Sequence, residues 1–223
     1  MNKEHKSKDL AVGDVISKSE AFIEKNQKII LIITIAILLI VGGYFGYKKF
    51  IAEPHEAEAA AEMFAAENYF NKEDMDKALN GDGKHIGFLA IIDQYGSTPS
   101  GNLAKYYAGV AFMAKGEYKK AIEHLDKFSS KDMFVSSEAK ALIGDCYMEL
   151  NQKEDAIKYY QKALANPNDM TTPFILLKLG FAYEMQKDYK KALEQYKKIK
   201  TDFPLSSESR EIDKYISRME AMI

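Results

Sequence analysis

The sequence predicts an all-α protein in which a single N-terminal transmembrane helix is followed by a helical solenoid. Two observations carry this prediction. Residues 29–47 contain no charged side chain, and small residues recur at Gly109, Gly144 and Gly180, at intervals of 35 and 36 residues. A long uncharged stretch is typical of a membrane helix, and a fixed period of this length is typical of stacked helix pairs.

The apolar stretch 29–47 is long enough to cross a bilayer. At about 1.5 Å per residue such a helix covers roughly 28 Å, close to the hydrocarbon thickness. Lys28 and Lys48 bracket it, and Tyr44 and Tyr47 lie near its C-terminal end, as expected at a membrane interface. A cleaved signal peptide would have a shorter apolar region after a brief basic start, so we expect a retained anchor in the lipid bilayer.

Charge gives a small bias to the topology. Within about twenty residues of the span, three lysines precede it and two follow it, which favours a cytoplasmic N-terminus. Residues 50–223 carry 23 basic and 28 acidic side chains, a net charge of −5. We therefore expect a cytoplasmic tail at 1–28 and a periplasmic C-terminal domain. The reverse topology, a receptor facing the cytosol, stays open.

Two features near the span suggest contacts. From Asp14, apolar residues recur at helical spacing, which indicates either a short amphipathic helix on the membrane surface or an extension of the span. Residues 1–9 are too polar to pack, and we expect disorder there. Within the span, Gly42 and Gly46 have the spacing that lets a neighbouring membrane helix approach closely.

Residues 48–101 predict a stalk helix and a degenerate first helical pair. The Ala- and Glu-rich stretch after Pro54 favours helix strongly. Met63, Phe64 and Phe70, with the alanines, are expected to form one apolar face that packs on the following helices. The spacing around Asp82 lacks the ligand series of a calcium loop.

Residues 102–204 predict three repeats of paired helices. Besides the glycines, Ala121, Ala156 and Ala192 recur in register. Small residues at these places are typical of the tetratricopeptide pattern, in which they let the two helices of a pair touch. Residues 205–223 predict a capping helix for the open end, with one apolar face formed by Ile212, Tyr215, Ile216 and Met219.

The register of the repeats predicts a concave groove for partner proteins. Most of the residues predicted to line this groove are apolar or aromatic, which favours binding of a polypeptide with hydrophobic side chains. Alternatively, some of these residues cover the stalk helix or each other. The predicted groove residues are Leu103, Tyr106, Val110, Met113, Met148, Phe174, Leu177 and Phe181, and less apolar residues of the same register are Glu138, Ala141, Asp145 and Glu184.

Catalytic, cofactor and metal sites are not predicted. The four histidines are scattered without ligand spacing, and the single cysteine, Cys146, occupies a helix-packing position. A formal net charge of −2 gives no basic surface for nucleic acid. A clamp for acidic C-termini is also disfavoured, because Lys178 is the only basic residue at the places where such a clamp needs Lys and Asn.

The arrangement resembles the YfgM-like family of ancillary SecYEG translocon subunits, in its Bacteroidota-like form. The most specific pieces are Glu24–Gln27 before the span and the stretch ALNGDGKHIGFLAIIDQYG from Ala78; Lys25 departs from the family pattern by separating the acid from the Asn-Gln pair. The resemblance implies an inner-membrane protein bound to SecYEG with the membrane-anchored chaperone PpiD, receiving nascent secretory polypeptides. An alternative is a scaffold for another envelope assembly, such as cytochrome maturation or cell division.

Overall fold

A computed structural model describes the backbone of residues 4–223 and the side chains of residues 23–223. Within these ranges the regular structure is helical throughout, without strands, so the predicted all-α class is confirmed. The chain divides into two compact units, residues 1–54 and residues 55–223.

The first unit contains helix α1, Glu4–Tyr47, and a π-helical turn, Lys48–Ala52. The backbone is helical from Glu4, whereas composition predicted disorder up to residue 9; residues 1–3 lie outside the described part. Extending a helix that already exists needs no new nucleus, so a polar segment can join it. Of the predicted amphipathic face at 15–23, only the side chain of Ile23 is described, and it is exposed. The amphipathic face stays a prediction.

The apolar part of α1 is exposed along its length. It lies within the helical stretch 23–71, which is apolar enough to cross a membrane, and none of its most apolar window is buried in the protein. The core helix of a soluble protein would instead be covered by its neighbours.

The second unit is built from ten α-helices in chain order. They are α2 Glu53–Asn71, α3 Met75–Asn80, α4 Phe88–Tyr95, α5 Pro99–Ala114, α6 Tyr118–Asp126, α7 Met133–Glu149, α8 Lys153–Ala163, α9 Thr172–Met185, α10 Tyr189–Asp202 and α11 Ile212–Glu220, with a 3₁₀ turn at Glu208–Glu211. Helices α5 and α6, α7 and α8, and α9 and α10 pack as consecutive pairs, and α11 packs on α10.

Each pair closes through the same turn. Gly116, Asn151 and Lys187 lie at equivalent places and have φ of 73°, 57° and 62°. In every pair, the next residue donates its backbone N–H to the carbonyl five residues earlier, for example Glu117 to Phe112. Glycine and asparagine tolerate this left-handed conformation, whereas Lys187 adopts it at a cost that the surrounding helices must offset.

A small residue on the first helix of each pair faces a large one on the second. A methyl group on Gly144 would lie 2.5 Å from Cε1 of Tyr160, and one on Gly180 would lie 2.3 Å from Cε1 of Tyr196. These contacts are shorter than carbon atoms can approach, so only glycine allows the helices this close. The predicted packing of small against large residues is confirmed.

The stalk helix prediction is partly wrong. Met63 is buried and Phe70 is partly buried against the same core, but Phe64 is 74% exposed. Adjacent residues on a helix point about 100° apart, so Met63 and Phe64 cannot share a narrow face. Helix α2 instead buries Ala59, Met63 and Ala66, four and three residues apart.

The turn after α3 is held by Asp82. Its carboxylate accepts the backbone N–H groups of Lys84 and His85 and the hydroxyl of Tyr69, at 2.9, 2.7 and 2.7 Å. These hydrogen bonds hold the pKa of Asp82 well below its ordinary value. Asp82 therefore has a structural role in this turn, consistent with the missing calcium-loop spacing.

Two buried clusters form the interior of the second unit. One joins α2 to α7 and contains Phe88, Ile91 and Cys146; the other joins α7 to α11 and contains Tyr160, Tyr196 and Ile199. The predicted cap buries Ile212, Ile216 and Met219 against the second cluster, with Tyr215 partly buried beside them. Each pair is thus covered by the next element, as a stacked repeat requires.

Replacing Gly144 by Val tests the close approach of the helices. The added methyl groups meet the buried Tyr160 ring, and overpacking of this kind costs about 1–3 kcal/mol, or about 5–10 °C in melting temperature for the larger values. Thermal unfolding of the full chain in mild detergent, followed by circular dichroism, measures this loss. The exposed control Lys158→Ala should unfold like the parent, and equal melting of both variants would contradict the packing argument.

Candidate functional site

A groove of about 440 Å³ lies between α7 and the start of α9, with the 3₁₀ turn contributing one side chain. It is the best candidate site because it combines apolar surface with charged groups that converge on it. The groove is lined by Glu138, Ala141, Leu142, Asp145, Met170, Thr171, Phe174, Ile175, Lys178 and Glu208.

Asp145 and Lys178 form an ion pair in this groove. The Lys178 Nζ lies 2.8 and 2.7 Å from the two carboxylate oxygens of Asp145. Both side chains are only 22% exposed, so the pair is more shielded from water than an ordinary surface pair. The Lys178 ammonium also lies 4.5 Å from the centre of the Phe174 ring, a cation–π distance.

Tyr160 joins this pair from the second helix of the same repeat. Its hydroxyl donates to Oδ1 of Asp145 at 2.7 Å. Burial, followed by the negative charge of Asp145, raises the pKa of Tyr160 well above its ordinary value. Tyr160 is therefore a permanent hydrogen-bond donor, and Asp145 links both helices of one pair to the first helix of the next.

A similar arrangement recurs one repeat later, with the carboxylate about one helical turn further along the first helix. The Tyr196 hydroxyl donates to Glu184, and Arg218 of α11 contacts both oxygens of Glu184 at 2.7 Å. Burial and then Glu184 raise the pKa of Tyr196. Glu184, which the repeat register placed in the groove, thus links the last repeat to the cap.

The predicted groove residues fall into two groups, according to whether they pack against one of the two buried clusters; the first four do not. Leu103 and Phe174 are 37% and 48% exposed. Tyr106 is half-buried, with its ring 5.3 Å from that of Phe128, and Val110 is partly buried. Burial, with the nearby Glu138 carboxylate, raises the pKa of Tyr106. Of the eight, Phe174 is the one that lines the groove described above.

The other four predicted residues pack against the cores. Met113 contacts the first cluster, and Met148, Leu177 and Phe181 contact the second. The Phe181 ring lies 5.3 Å from that of Tyr215 on the cap. This geometry favours the alternative that some of the predicted residues cover each other, and partner binding by these four stays a prediction.

Gly42 and Gly46 in the apolar part of α1 have open surroundings. A methyl group placed on Gly42 or Gly46 would have no other group within 4 Å, apart from the helix's own nearby backbone. Contact of this face with a neighbouring membrane helix stays a prediction.

Sequence reasoning missed Met170, Thr171, Ile175 and Glu208 as groove residues. Met170 lies in the loop before α9 and is 75% exposed, and Glu208 comes from the 3₁₀ turn before the cap. The repeat register covers only the paired helices, so it cannot assign residues from loops. The signal for Met170 was a lone apolar residue in the polar loop from Asn166 to Thr172.

Cys146 is a buried packing residue. It is fully covered, and burial raises the pKa of its thiol to about 12. A reactive cysteine needs a lowered pKa and access to solvent, so this side chain is a poor nucleophile. Within residues 23–223, no three His, Cys, Asp or Glu side chains are close enough together to hold a metal ion.

Comparisons with known proteins identify the repeats. Sequence models described as "Tetratricopeptide repeat" match residues 103–132, 137–168 and 175–206. The chain carries three tetratricopeptide repeats. A segment of 56 residues, 25% of the chain, is 38% identical to Lipopolysaccharide assembly protein B of Escherichia coli strains K12 and O157:H7. The match spans only 14% of the length of those relatives.

Solved structures show the same fold. The chain is similar to MamA, with a TM-score of 0.52 and 22% identity over 74% of this chain and 91% of MamA. It is also similar to a Podosopora anserina protein with nearly identical TPR-like repeats, described as a kinesin light chain. That TM-score is 0.57, with 14% identity over 75% of this chain and 87% of the other. These likenesses support the repeat fold alone.

The Asp145–Lys178 pair should stabilise the junction between repeats. Asp145→Ala leaves Lys178 and Tyr160 without their partner, and loss of a hydrogen bond to a charged group costs about 1.5–3 kcal/mol. Urea unfolding of the full chain in mild detergent measures the loss. Adding Lys178→Met should recover part of it, because the unpaired ammonium is gone.

The control for this prediction is an exposed pair. Glu123→Ala breaks the ion pair between Glu123 and Lys127, whose side chains are both mostly exposed, and should change the stability much less than Asp145→Ala does. A shielded link between repeats would be contradicted if Asp145→Ala and Glu123→Ala lowered the free energy of unfolding equally. It would also be contradicted if the effects of Asp145→Ala and Lys178→Met were strictly additive in the double variant.

Proposed function

We propose that this protein is a non-enzymatic adaptor that the apolar part of α1 anchors in a membrane and whose repeats bind other polypeptides. The observation that carries the proposal is the groove between α7 and α9, with exposed Met170 and Phe174, on the same chain as an unburied helix of membrane-spanning character. Exposed apolar side chains in a groove are typical of sites that bind polypeptide segments.

The specific role that we propose is an ancillary subunit of the SecYEG translocon. The protein would lie in the bacterial inner membrane with its repeats in the periplasm, and work with a PpiD-like chaperone on emerging secretory polypeptides. Support comes from the resemblance carried by Glu24–Gln27 and the stretch from Ala78, and from the lysine bias around the span.

A second candidate is a scaffold for a different envelope assembly. The similarity to Lipopolysaccharide assembly protein B favours it, because that relative is named for an assembly process. Photo-cross-linking from the span, at Gly42 and Gly46, separates the two candidates. Translocon subunits as neighbours favour the first, and other envelope proteins favour the second.

Removal of residues 1–51 should abolish co-purification with translocon subunits, because the remaining chain lacks the anchor. Affinity purification in mild detergent, followed by mass spectrometry, measures the association. A matched control replaces residues 29–47 by an unrelated membrane helix of equal length. If co-purification is also lost in this control, the sequence of the span itself contacts the translocon. Undiminished association of the truncated protein would contradict the anchoring role.

Phe174→Asp should weaken capture of polypeptide clients at least severalfold, because it places a charge in the apolar part of the groove. Phe174 is exposed enough for the fold to tolerate the change. Lys158→Asp on the exposed side of α8 is the matched control. Photo-cross-linking to nascent chains in membrane vesicles, with circular dichroism as a check on folding, measures the effect. Equal capture by both variants would contradict binding in this groove.

A further inference from the structure

We propose that the groove between α7 and α9 selects polypeptide segments in which an apolar side chain is flanked by Lys or Arg. The inference rests on the proposed function, because it names the class of polypeptide that the adaptor binds. It is carried by the charges that surround the apolar surface of the groove.

The apolar part of the groove can hold one or two hydrophobic side chains. Met170 is 75% exposed and Phe174 is 48% exposed, and Leu142 and Ile175 lie beside them. A flexible methionine and an aromatic ring adapt to differently shaped apolar groups. A volume of about 440 Å³ suits a few side chains of an extended segment.

The charges of the groove are unbalanced. Glu138, Asp145 and Glu208 contribute carboxylates and Lys178 contributes the only ammonium among the lining side chains, a net charge of −2. Lys178 already contacts both oxygens of Asp145, so these two charges compensate each other.

The two remaining carboxylates, Glu138 and Glu208, are not held in ion pairs. Among the described side chains, neither Glu138 nor Glu208 takes part in an ion pair. Each accepts a hydrogen bond from a neutral hydroxyl, Glu138 from Tyr106 and Glu208 from Ser207. They come from two separate elements, α7 and the 3₁₀ turn. A Lys or Arg side chain of the ligand would form an ion pair with each of these carboxylates, whereas a carboxylate of the ligand would be repelled.

The test compares fluorescent peptides that differ only in charge. The probes are Gly-Lys-Leu-Phe-Lys-Gly and two matched peptides with Ser or Glu in place of both Lys, titrated against the full chain in lipid nanodiscs by anisotropy. Two exposed ion pairs predict about fivefold tighter binding of the Lys peptide than of the Ser peptide, and weaker binding of the Glu peptide. The preference should shrink at high salt, since these pairs are screened.

A charge-matched pair of variants locates the effect. Glu138→Gln with Glu208→Gln should remove the preference for the Lys peptide, whereas Glu58→Gln with Asp155→Asn, which removes two exposed charges outside the groove, should keep it. Circular dichroism checks that all variants fold.

Three results would overturn the inference. If the Lys, Ser and Glu peptides bind equally, the groove selects apolar groups alone, and the adaptor function survives. If the preference persists in the groove variant, the net charge of the whole domain causes it. If no peptide binds, the groove is not the site, while co-purification with translocon subunits still tests the adaptor function independently.

Discussion

The close approach of the two helices within each repeat is the constraint on which the rest of the second unit depends. Gly109, Gly144 and Gly180 leave room for Leu125, Tyr160 and Tyr196, and any side chain at the glycine positions would meet them. Because the gap is filled by a large side chain, each pair is stiff and presents a defined face to the next pair. The position of α7 relative to α9, and hence the groove, follows from this packing.

Tyrosine at two of the large positions adds a polar function to the packing. The rings of Tyr160 and Tyr196 fill the gap, and their hydroxyl groups donate hydrogen bonds to Asp145 and Glu184 on the first helix of each pair. Each carboxylate then pairs with a cation from the next element, Lys178 or Arg218. The first repeat has Leu125 at the equivalent place and lacks this link. Charge is thereby concentrated at the later junctions, where the groove lies.

The sequence was sufficient for those features that depend on spacing alone. The three repeats and the apolar face of the cap follow from periodicity, and the candidate membrane helix follows from the length of its uncharged stretch. The structure and the repeat matches agree with the fold. Phe64 was misplaced because a helix rich in alanine has a weak apolar face, on which the large residues do not define the buried side. Met170 and Glu208 were missed because contacts from loops and turns depend on tertiary packing.

The central claim is that polypeptides bind in the groove between α7 and α9. Photo-cross-linking in intact cells, with benzoylphenylalanine in place of Phe174 or in place of Lys158 on the exposed surface of α8, tests it most directly. The account predicts polypeptide adducts from position 174 and few from position 158. Adducts mainly from position 158 would show that partners contact the outer helices, and would contradict the assignment of the groove.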